Sequence, residues 1–330
     1  MAKGHVTAQL TKRALVAGRR VQVVRVAGPN AGHSAVGVLD GKTWALRQVP
    51  CAAVVSLDAK LAIVAGSEID MAVLVMEVAQ LDNAGYRVSD RLVVDRQATV
   101  IAPSDHTTEA HDKLTERIGS TGKGVGAARA ARVMRQATLY GGEDDTAALL
   151  GGWLRSGGDV IIEGTQGYAL GLHAGWYPFC TSSDCRAQDF LAMAGLAAWE
   201  ASEVEVWMAV RTYPIRVAGN SGPMRNETSW VALNLPPEHT TVTKKVRRVG
   251  AWDAQLVKQA VRANGGAPTV RLALMMADYW WPELAGATEE GAVGAYGRDV
   301  LSRIEQDARA KIELIGTGPS SVVWMGDGHG

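Results

Sequence analysis

The stretch 161-IIEGTQGYALGLHAGWYPFCTSSD-184 carries the clearest information on the fold of this chain. Its apolar opening is typical of a β-strand, and it runs into a glycine turn that holds Gln166. A second glycine-containing segment leads to the hydroxyl cluster at residues 181–183. Open α/β sheets bind ligands where strands end in such turns. Hydroxyl groups, a carboxamide and backbone N–H groups suit a phosphate or the edge of a nucleobase.

Apolar runs alternate with helical periodicity along the rest of the chain. Most runs are apolar at consecutive positions, as expected for strands covered on both faces. Helical patterns lie between them, for example before Gly85 and after Asp253, a suitable N-cap. The alternation predicts an α/β fold, with a central, mainly parallel sheet flanked by helices in one large domain over residues 1–330. Strands are predicted at 21–26, 61–64, 91–95, 99–102, 160–163, 204–210, 270–276 and 312–315, and exposed loops at 141–146 and 282–294.

Composition argues against several classes of partner. The 34 basic and 34 acidic residues give a net charge of zero, whereas binding to nucleic acids or anionic membranes needs a basic field. No run of about 18 apolar residues and no secretory h-region is present, so neither a membrane span nor a signal peptide is expected. Cys51, Cys180 and Cys185 lack paired C-x-x-C spacing, which is typical of reduced thiols. We therefore expect a cytoplasmic protein with small-molecule partners.

A glycine-rich turn, 28-GPNAGHS-34, directly follows the first predicted strand. Such a turn at a strand end can direct backbone amides at a phosphate. His33 would then lie close enough to protonate or stabilise that phosphate. The alternative is a tight turn with an incidental histidine, and spacing alone does not decide between the two.

A second glycine-rich segment, 118-IGSTGKGVG-126, fails two tests for a phosphate-binding loop. A P-loop has Ser or Thr after its lysine, but Lys123 is followed by Gly124. A dinucleotide fingerprint follows a strand, but residues 109–117 have a helical pattern. Taken alone, this motif is a weak indication.

Two later segments carry charged and aromatic side chains. The cations at 244–248 form either an exposed basic loop or a mobile loop that binds carboxylates. In 274-LMMADYWW-281, Asp278 is either a contact to a base or an ordinary loop carboxylate. Trp280 and Trp281 either stack on a base or pack in the core.

These segments, in this order, resemble the adenylosuccinate synthetase family over roughly residues 3–325. That family joins aspartate to C6 of a purine nucleotide through a 6-phosphoryl intermediate, using a nucleoside triphosphate and Mg²⁺. The resemblance therefore implies a C–N bond-forming ligase with a P-loop-like synthetase fold. The matching family motifs are N-A-G-H-T at 30–34, G-T-T-G-R-G-I-G-P at 119–127, EGAQG…YPF-TSS at 163–183, T-T-G-R-R-R-R-T-G-W around 240–252 and S-T-G-P at 316–319.

The resemblance also implies roles for individual residues. His33 and Gln166 are the implied catalytic residues, and the carbonyl group of Gly32 is the implied contact to Mg²⁺. Arg135 is implied to reach the nucleotide site of a neighbouring subunit, which requires a homodimer. The implied substrate-nucleotide contacts are Asn30, Ser120, Thr121, Arg135, Gln166, Thr181 and Val217. The implied aspartate contacts are Thr243, Lys245 and Arg247, and the implied donor contacts are Lys3, Gly4, Gly32, His33, Ser34, Asp278, Thr317, Gly318 and Pro319.

Two departures from the family pattern point to one branch of it. Met275 and Met276 replace polar residues of the family's guanine-recognition segment T-K-L-D, which favours ATP or dATP over GTP as donor. The family's first strand, its glycine turn and its general-base aspartate would precede Met1, so the N-terminal strand is expected to be missing. Both features resemble the bacteriophage 2-aminoadenylosuccinate synthetases, which are short, use dGMP and have serine in place of that aspartate.

The resemblance thus implies an enzyme that converts dGMP, L-aspartate and ATP or dATP to 2-amino-2′-deoxy-N6-succinyladenylate. This product would serve the synthesis of 2-aminoadenine DNA, in the host cytoplasm if a phage encodes the enzyme. Two alternatives stay open. One is an ordinary adenylosuccinate synthetase that uses IMP and GTP, and the other is a nucleotide-binding homologue without catalysis.

Overall fold

The computed structural model describes residues 2–201, 203–240 and 244–326. Its strands are β1 (Val21–Arg25), β2 (His33–Val36), β3 (Thr43–Leu46), β4 (Lys60–Ile63), β5 (Glu68–Ile69), β6 (Leu92–Val94), β7 (Thr99–Val100), β8 (Thr138–Leu139), β9 (Asp159–Glu163), β10 (Val206–Arg211), β11 (Ile215–Arg216), β12 (Glu227–Thr228), β13 (Arg248–Gly250), β14 (Val270–Met275), β15 (Lys311–Gly316) and β16 (Val322–Trp324). Its α-helices are α1 (Lys3–Val16), α2 (Met71–Asn83), α3 (Pro103–His111), α4 (Leu114–Ile118), α5 (Val125–Val133), α6 (Thr146–Arg155), α7 (Ala187–Met193), α8 (Ala254–Ala263) and α9 (Ala295–Ala308).

Two four-stranded sheets form the centre of the fold. The first has the order β6-β4-β1-β9, and all its pairings are parallel. The second has the order β10-β14-β15-β16, in which only β16 is antiparallel. The predicted α/β fold with mainly parallel strands is confirmed, and each predicted strand is present with nearly the predicted ends.

The two sheets each contribute an edge strand to one large cavity. Within the described residues, β9 pairs only with β1 and β10 only with β14, and residues of both β9 and β10 line the cavity. Edge strands of this kind have backbone groups available to pair with a further strand.

Burial on both faces explains why the strands are continuous apolar runs. Val23 of β1 belongs to the same buried cluster as Leu81 of α2 on one side of the sheet. The next residue, Val24, belongs to a different buried cluster, together with Leu150 of α6 on the other side. Because successive side chains point to opposite faces, both must be apolar when helices cover both faces.

The predicted helix boundaries are confirmed. Asp253 caps α8 by accepting a hydrogen bond from the backbone N–H of Leu256 at 3.0 Å. Helix α2 ends just before Gly85, whose φ of +88° is in the left-handed region that favours glycine.

The two predicted loops differ from expectation in part. The loop at 141–146 ends one residue early because Asp145 caps α6 and the helix begins at Thr146. The segment at 282–294 is not fully exposed, because Leu284 and Val293 are buried in the core beside β14 and β15. Apolar residues within it therefore anchor the segment.

Smaller sheets surround the centre, with β2 and β3 forming a pair and the orders β5-β7-β8 and β11-β13-β12 forming the others. All three cysteines are free, in agreement with the expectation of reduced thiols. Over the described segments, none of the helices combines the length and apolar character needed to cross a membrane.

Candidate active site

The strand ends of both sheets open into one cavity of about 1780 Å³. The turns after β1 and β9, the segment after β10 and the start of α1 contribute to its wall. His33, Gln166 and Arg247, which are far apart in the sequence, line it together. This location follows the general rule that α/β sheets bind ligands beyond the carboxyl ends of their strands. The residues implied by the resemblance that line the cavity are Lys3, Gly4, Asn30, Gly32, His33, Ser34, Ser120, Thr121, Gln166, Thr181, Val217 and Arg247.

A buried ion-pair network holds His33 at the cavity wall. Arg25 and Glu163 end the adjacent strands β1 and β9, are paired in register, and have fully buried side chains. The Arg25 guanidinium donates hydrogen bonds to Oε1 of Glu163 and, at 3.0 Å, to the carbonyl oxygen of Ala31. Nδ1 of His33 lies 2.5 Å from the same Oε1. The backbone N–H of Cys51 donates to Oε2 at 2.8 Å, so both carboxylate oxygens are engaged.

Burial and charge determine the protonation of this network. Burial, together with the nearby Arg25 cation, lowers the pKa of His33 to about 4. Burial alone would raise the pKa of Glu163, but Arg25 and the hydrogen bonds from His33 and Cys51 lower it to about 2. At neutral pH, Glu163 is therefore a carboxylate and His33 a neutral imidazole.

The ligating atoms of His33, Cys51 and Glu163 lie within 4.8 Å of one another, a spacing that could suit a metal ion. A guanidinium nitrogen of Arg25 lies 3.1 Å from Nδ1 of His33, however, and its charge would repel a second cation. Burial also raises the pKa of the Cys51 thiol well above its ordinary value, which disfavours the thiolate that a metal would need. The cluster is therefore a buried salt-bridge network and a poor site for a metal.

Helix α1 brings a lysine to the same wall. A Cβ atom at Gly4 would lie 2.8 Å from both Sγ of Cys51 and the carbonyl oxygen of Ser34, so glycine permits this close approach. Lys3 precedes it and lines the cavity. Burial lowers the pKa of the Lys3 ammonium group to about 8, and the Arg25 cation acts in the same direction. The wall thus offers a positive charge that suits a phosphate.

Gln166 lies in the turn after β9 with a φ of +54°, which non-glycine residues rarely adopt. Such a conformation costs on the order of 1 kcal/mol and is common at ligand sites. The Nε2 atom of Gln166 donates to Oδ1 of Asn30 at 3.3 Å, so carboxamides from the turns after β1 and β9 lie side by side. The pair offers donors and acceptors suited to the edge of a purine.

Glu109 of α3 changes the interpretation of the second glycine-rich segment. Its carboxylate accepts hydrogen bonds from the backbone N–H groups of Gly124 and Gly126 at 2.9 and 2.8 Å. These two donors are therefore not free for a phosphate. Ser120 and Thr121 line the cavity, so the segment contributes hydroxyl groups more than a cradle of amides.

The basic segment reaches the cavity through Arg247. This half-buried side chain donates from Nε to the carbonyl oxygen of His239 at 3.1 Å, and burial and the nearby Arg211 lower its pKa. Arg211 pairs with Glu238, whose Oε1 also accepts a hydrogen bond from the Tyr279 hydroxyl at 3.1 Å. Glu238 offsets one of the two positive charges, so Arg211 and Arg247 leave a net positive charge on this side, which suits a carboxylate.

The other implied aspartate contacts are placed differently. Lys245 is exposed, and the described lining of the cavity does not include it. Its backbone N–H donates to Oγ1 of Thr240 at 3.0 Å. Thr243 lies outside the described residues. The structure thus brings Arg247, but not Lys245, to the cavity.

The residues implied for the donor base lie at the ends of β14 and β15. Asp278 is in the turn after β14 and Thr317 directly follows β15, and the two strands are parallel neighbours. Burial raises the pKa of Asp278, and Thr317 is buried and donates to the carbonyl oxygen of Ala287 at 2.7 Å. As far as the structure describes the large cavity, its lining does not include Asp278, Thr317, Gly318 or Pro319.

The two tryptophans pack against other aromatic rings. Trp281 is buried in the core, and its ring centroid lies 5.6 Å from that of Trp280 in an edge-on arrangement. Trp280 meets Trp252 in the same way at 5.5 Å. Of the two interpretations of this pair, packing is the one that these contacts support.

Arg135 lies just after α5, is exposed, and is absent from the described lining of the cavity. Its φ is +61°, and its guanidinium donates to the carbonyl oxygen of Val133 at 2.7 Å. The apolar side chains of Val133, Met134, Leu139 and Tyr140 are exposed in the adjoining sequence.

Sequence reasoning assigned no role to Arg25, Glu163, Glu109, Arg211 or Glu238. For the first two, a usable signal exists, because each is a charged residue that ends its strand directly after two apolar residues. Charged side chains are rarely fully buried unless they are paired. Two opposite charges at the ends of two predicted strands could therefore have predicted the ion pair.

Comparison with known proteins relates these features to a family. The family model described as adenylosuccinate synthetase matches residues 2–142 and 142–280. The adenylosuccinate synthetase of Methanococcus maripaludis is 34% identical over 304 residues, which cover 88% of this chain and 86% of that protein. The adenylosuccinate synthetase of Methanocaldococcus jannaschii is 34% identical over 303 residues, with 88% and 84% covered.

Solved structures also match over nearly the whole chain. The succinoaminodeoxyadenylate synthetase of cyanophage S-2L, bound to dGMP and to dATP as an energy donor, is 30% identical, with a TM-score of 0.80 and coverage of 98% of this chain and 91% of that one. The fully ligated adenylosuccinate synthetase from Plasmodium falciparum has a TM-score of 0.82 with 98% and 96% covered. At 17% identity, this second likeness concerns the fold alone.

Proposed function

The chain belongs to the adenylosuccinate synthetase family of C–N bond-forming, nucleotide-using ligases, and from that premise we propose that its substrate nucleotide is dGMP. In the proposed reaction, dGMP, L-aspartate and ATP or dATP give 2-amino-2′-deoxy-N6-succinyladenylate, a nucleoside diphosphate and phosphate. The convergence of His33, Gln166 and Arg247 on one cavity carries the proposal. His33 suits a phosphate, Gln166 the edge of a purine and Arg247 a carboxylate.

The proposed chemistry has two steps. The γ-phosphoryl group moves from the donor to O6 of the purine, beside Lys3 and His33. The aspartate nitrogen then attacks C6 while Arg247 holds a carboxylate. The C6–O6 bond breaks, phosphate leaves, and the nitrogen loses a proton. Asn30 and Gln166 orient the base so that the reacting atoms meet.

The remaining residues of the proposal bind parts of the two nucleotides. We assign Ser120, Thr121 and Thr181 to the 5′-phosphate, Val217 to the sugar, and Asp278 with Thr317, Gly318 and Pro319 to the donor base.

Mg²⁺ is the proposed cofactor, and the cavity wall offers a suitable ligand. Gly32 lies on the wall beside His33 and supplies a backbone carbonyl oxygen. Mg²⁺ prefers hard oxygen ligands and completes its shell with substrate phosphates and water. Bound there, the ion would offset the negative charge of the phosphates.

Three observations support dGMP and an adenine nucleotide donor. The similar cyanophage S-2L synthetase was solved with dGMP and dATP. Val217 has an apolar side chain, and its carbonyl oxygen already accepts a hydrogen bond from Ser221 at 2.6 Å, which favours a sugar without a 2′-hydroxyl. Met275 is buried, with its side chain packed against Gly316, so no polar group faces a guanine from this position.

The curated relatives favour a second candidate. Proteins named adenylosuccinate synthetase are 34% identical to this chain, slightly more than the cyanophage enzyme. The ordinary reaction with IMP and GTP is therefore the main competitor. A binding protein without catalysis is the third candidate that an experiment must separate.

A substrate panel tests the proposal. Purified protein is incubated with L-aspartate and Mg²⁺, with dGMP or IMP as acceptor and ATP, dATP or GTP as donor, and products are identified by mass spectrometry. We expect a succinylated product from dGMP with ATP or dATP. Product from IMP but not dGMP would replace the proposal by the ordinary synthetase. Nucleotide binding without product in every combination would leave only a binding protein.

We also propose a homodimer in which Arg135 reaches the nucleotide of the second subunit. Its exposure away from its own cavity and the exposed apolar residues near it support this arrangement. Mixing inactive Arg135→Ala and His33→Ala proteins tests it. In a mixed dimer, one active site would contain both substitutions and the other would contain neither. The unsubstituted site should therefore restore activity. Mixed dimers that stay inactive would contradict the crossing arginine.

A further inference from the structure

We infer that Glu163 is a positioning residue that acts through His33. Its carboxylate keeps the imidazole in the tautomer with hydrogen on Nδ1 and leaves Nε2 as the ring nitrogen that meets the ligand. The inference rests on the proposed function, because His33 is the proposed catalytic residue.

The contacts of Nδ1 identify the tautomer. This atom lies 2.5 Å from Oε1 of Glu163 and 3.1 Å from a guanidinium nitrogen of Arg25. A guanidinium only donates hydrogen bonds, and a carboxylate only accepts them. Without hydrogen, Nδ1 would place its lone pair against those of the carboxylate oxygen at hydrogen-bond distance. With hydrogen, Nδ1 donates to Oε1, which accepts from Arg25 as well. The protonated Nδ1 is therefore the form that fits the geometry.

Glu163 is prevented from turning away from the imidazole. Its Oε2 accepts the backbone N–H of Cys51 at 2.8 Å, and its Oε1 accepts from Arg25. Arg25 is held in turn by the carbonyl oxygens of Ala31 and Arg47 at 3.0 and 3.2 Å. Because the side chains of the ion pair are fully buried, water does not compete for these hydrogen bonds. The hydrogen bonds of Glu163 and Arg25, which belong to paired strands, therefore restrict the rotation of the His33 imidazole.

The other ring nitrogen is left for a ligand. Nε2 of His33 makes no hydrogen bond with the residues that the structure describes, and it is not among their fully buried unsatisfied atoms. The side chain lines the cavity. A bare Nε2 and a phosphate oxygen both accept hydrogen bonds, so contact with the donor phosphate requires a proton on Nε2, which the negative charges of the phosphate and of Glu163 favour. Without Glu163, the imidazole could exchange tautomers and rotate, and the nitrogen that faces the donor phosphate would no longer be fixed.

The test measures the tautomer separately from catalysis. In protein labelled with ¹⁵N-histidine, the ring-nitrogen NMR signals of His33, assigned with a His33→Asn variant, report which nitrogen carries hydrogen. We expect hydrogen on Nδ1 in the wild type and a mixture of tautomers in Glu163→Gln. We also expect kcat to fall about 10- to 100-fold, as for other outer partners that orient a functional imidazole. The KM for aspartate should change little.

Two further variants control for loss of a buried charge. Asp95→Asn also removes a buried carboxylate, one that accepts from the backbone and hydroxyl groups of Thr146 at 2.8 and 2.6 Å, away from the described cavity lining. It should leave kcat and the His33 tautomer unchanged. If Glu163→Gln does not fold, the double variant Arg25→Met/Glu163→Leu removes both charges of the pair, and the same loss of a single tautomer is expected.

The outcomes separate this inference from the proposed function. If the wild type forms no succinylated product, the proposed function fails, while the NMR comparison still tests the tautomer. Hydrogen on Nε2 in the wild type, or an unchanged tautomer in the folded Glu163 variant, overturns the inference. So does a mixed tautomer in Glu163→Gln with the same kcat as Asp95→Asn.

Discussion

Two regions, one in the cavity wall and one that reaches it through Arg247, hold their charged side chains in opposite ways. At the ends of β1 and β9, Arg25 and Glu163 are fully buried, and every oxygen of the carboxylate accepts a hydrogen bond. Between β12 and β13, Lys245 is exposed and Arg247 half-buried. Paired strands build the first part and a connecting segment builds the second. The first region is therefore rigid and the second more adaptable. In the proposed function, the first places His33 beside the phosphate and the second binds a carboxylate of aspartate.

The physical basis of this difference is solvation. Removing one partner of a buried pair leaves a charge that water cannot stabilise, so the effect is large. An exposed cation is solvated with or without its partner and is screened by salt. Substitutions in the buried network should therefore have larger effects than substitutions in the basic segment.

The largest expected effect follows substitution of His33. His33→Asn should lower kcat by about 10²-fold or more, because it removes a group that the proposal places beside the phosphate. The KM for aspartate should stay within about threefold of the wild type, since Arg247 is intact. Steady-state kinetics with each substrate varied in turn provides the measurement. A variant with nearly normal kcat would remove His33 from the mechanism.

Acid stability should also depend on the buried network. The folded-state pKa of His33, about 4, is lower than its ordinary 6.5, so the unfolded chain binds more protons between these values. Stability from this residue is therefore present above about pH 6.5 and lost as the pH falls toward 4. Glu163 extends the loss below pH 4.5, because its pKa is about 2.

The His33→Asn variant isolates the histidine contribution. Between pH 7 and 4, the unfolding free energy of the wild type should fall more than that of the variant, by on the order of 2 kcal/mol. Urea denaturation at several pH values, with the ligand-free protein, measures both curves. Parallel curves would show that burial of His33 does not control acid stability.

Arg247 and Lys245 provide a comparison within the basic segment. Arg247→Ala should raise the KM for aspartate about tenfold or more, because a charge-assisted hydrogen bond at the cavity is lost. Lys245→Ala should change it by less than about threefold, since an exposed cation contributes little. Aspartate saturation curves at saturating nucleotide measure both values. Equal effects of the two substitutions would contradict the placement of Arg247 at the site.

Salt should have the smallest effect and should act on the basic segment alone. Raising NaCl from about 0.05 to about 0.5 M shortens the screening length severalfold. The KM for aspartate should rise modestly, by roughly threefold, while kcat should be nearly unchanged. If salt changed kcat but left the KM for aspartate constant, the buried network would be the salt-sensitive region and the basic segment would not, which contradicts the expected difference.

Much of the fold could be predicted because its signals are local. Mostly apolar residues at 21–26 and 270–276 predict buried parallel strands, and both strands are present. Asp253 predicts the start of α8 because its carboxylate caps the adjoining backbone. In each case the deciding interaction joins residues that are close in the chain.

The candidate site was predictable in part, through motifs at strand ends. His33, Gln166 and Arg247 belong to quoted motifs, and all three line the cavity. The role of Glu109 was not predictable from the glycine-rich segment, because its hydrogen bonds to Gly124 and Gly126 depend on how α3 packs. The sequence of this glycine-rich segment does not indicate whether its backbone N–H groups are free or already hydrogen-bonded.

By itself, the sequence determined the strands, the helices and the turns that carry polar groups, because backbone propensity, capping and the spacing of apolar residues are properties of neighbours in the chain. Only the tertiary structure decided that Arg25, His33 and Glu163 share one hydrogen-bond network. The parallel pairing of β1 with β9 brings together residues 138 positions apart. Burial then makes their charges interdependent, since desolvated groups must satisfy one another.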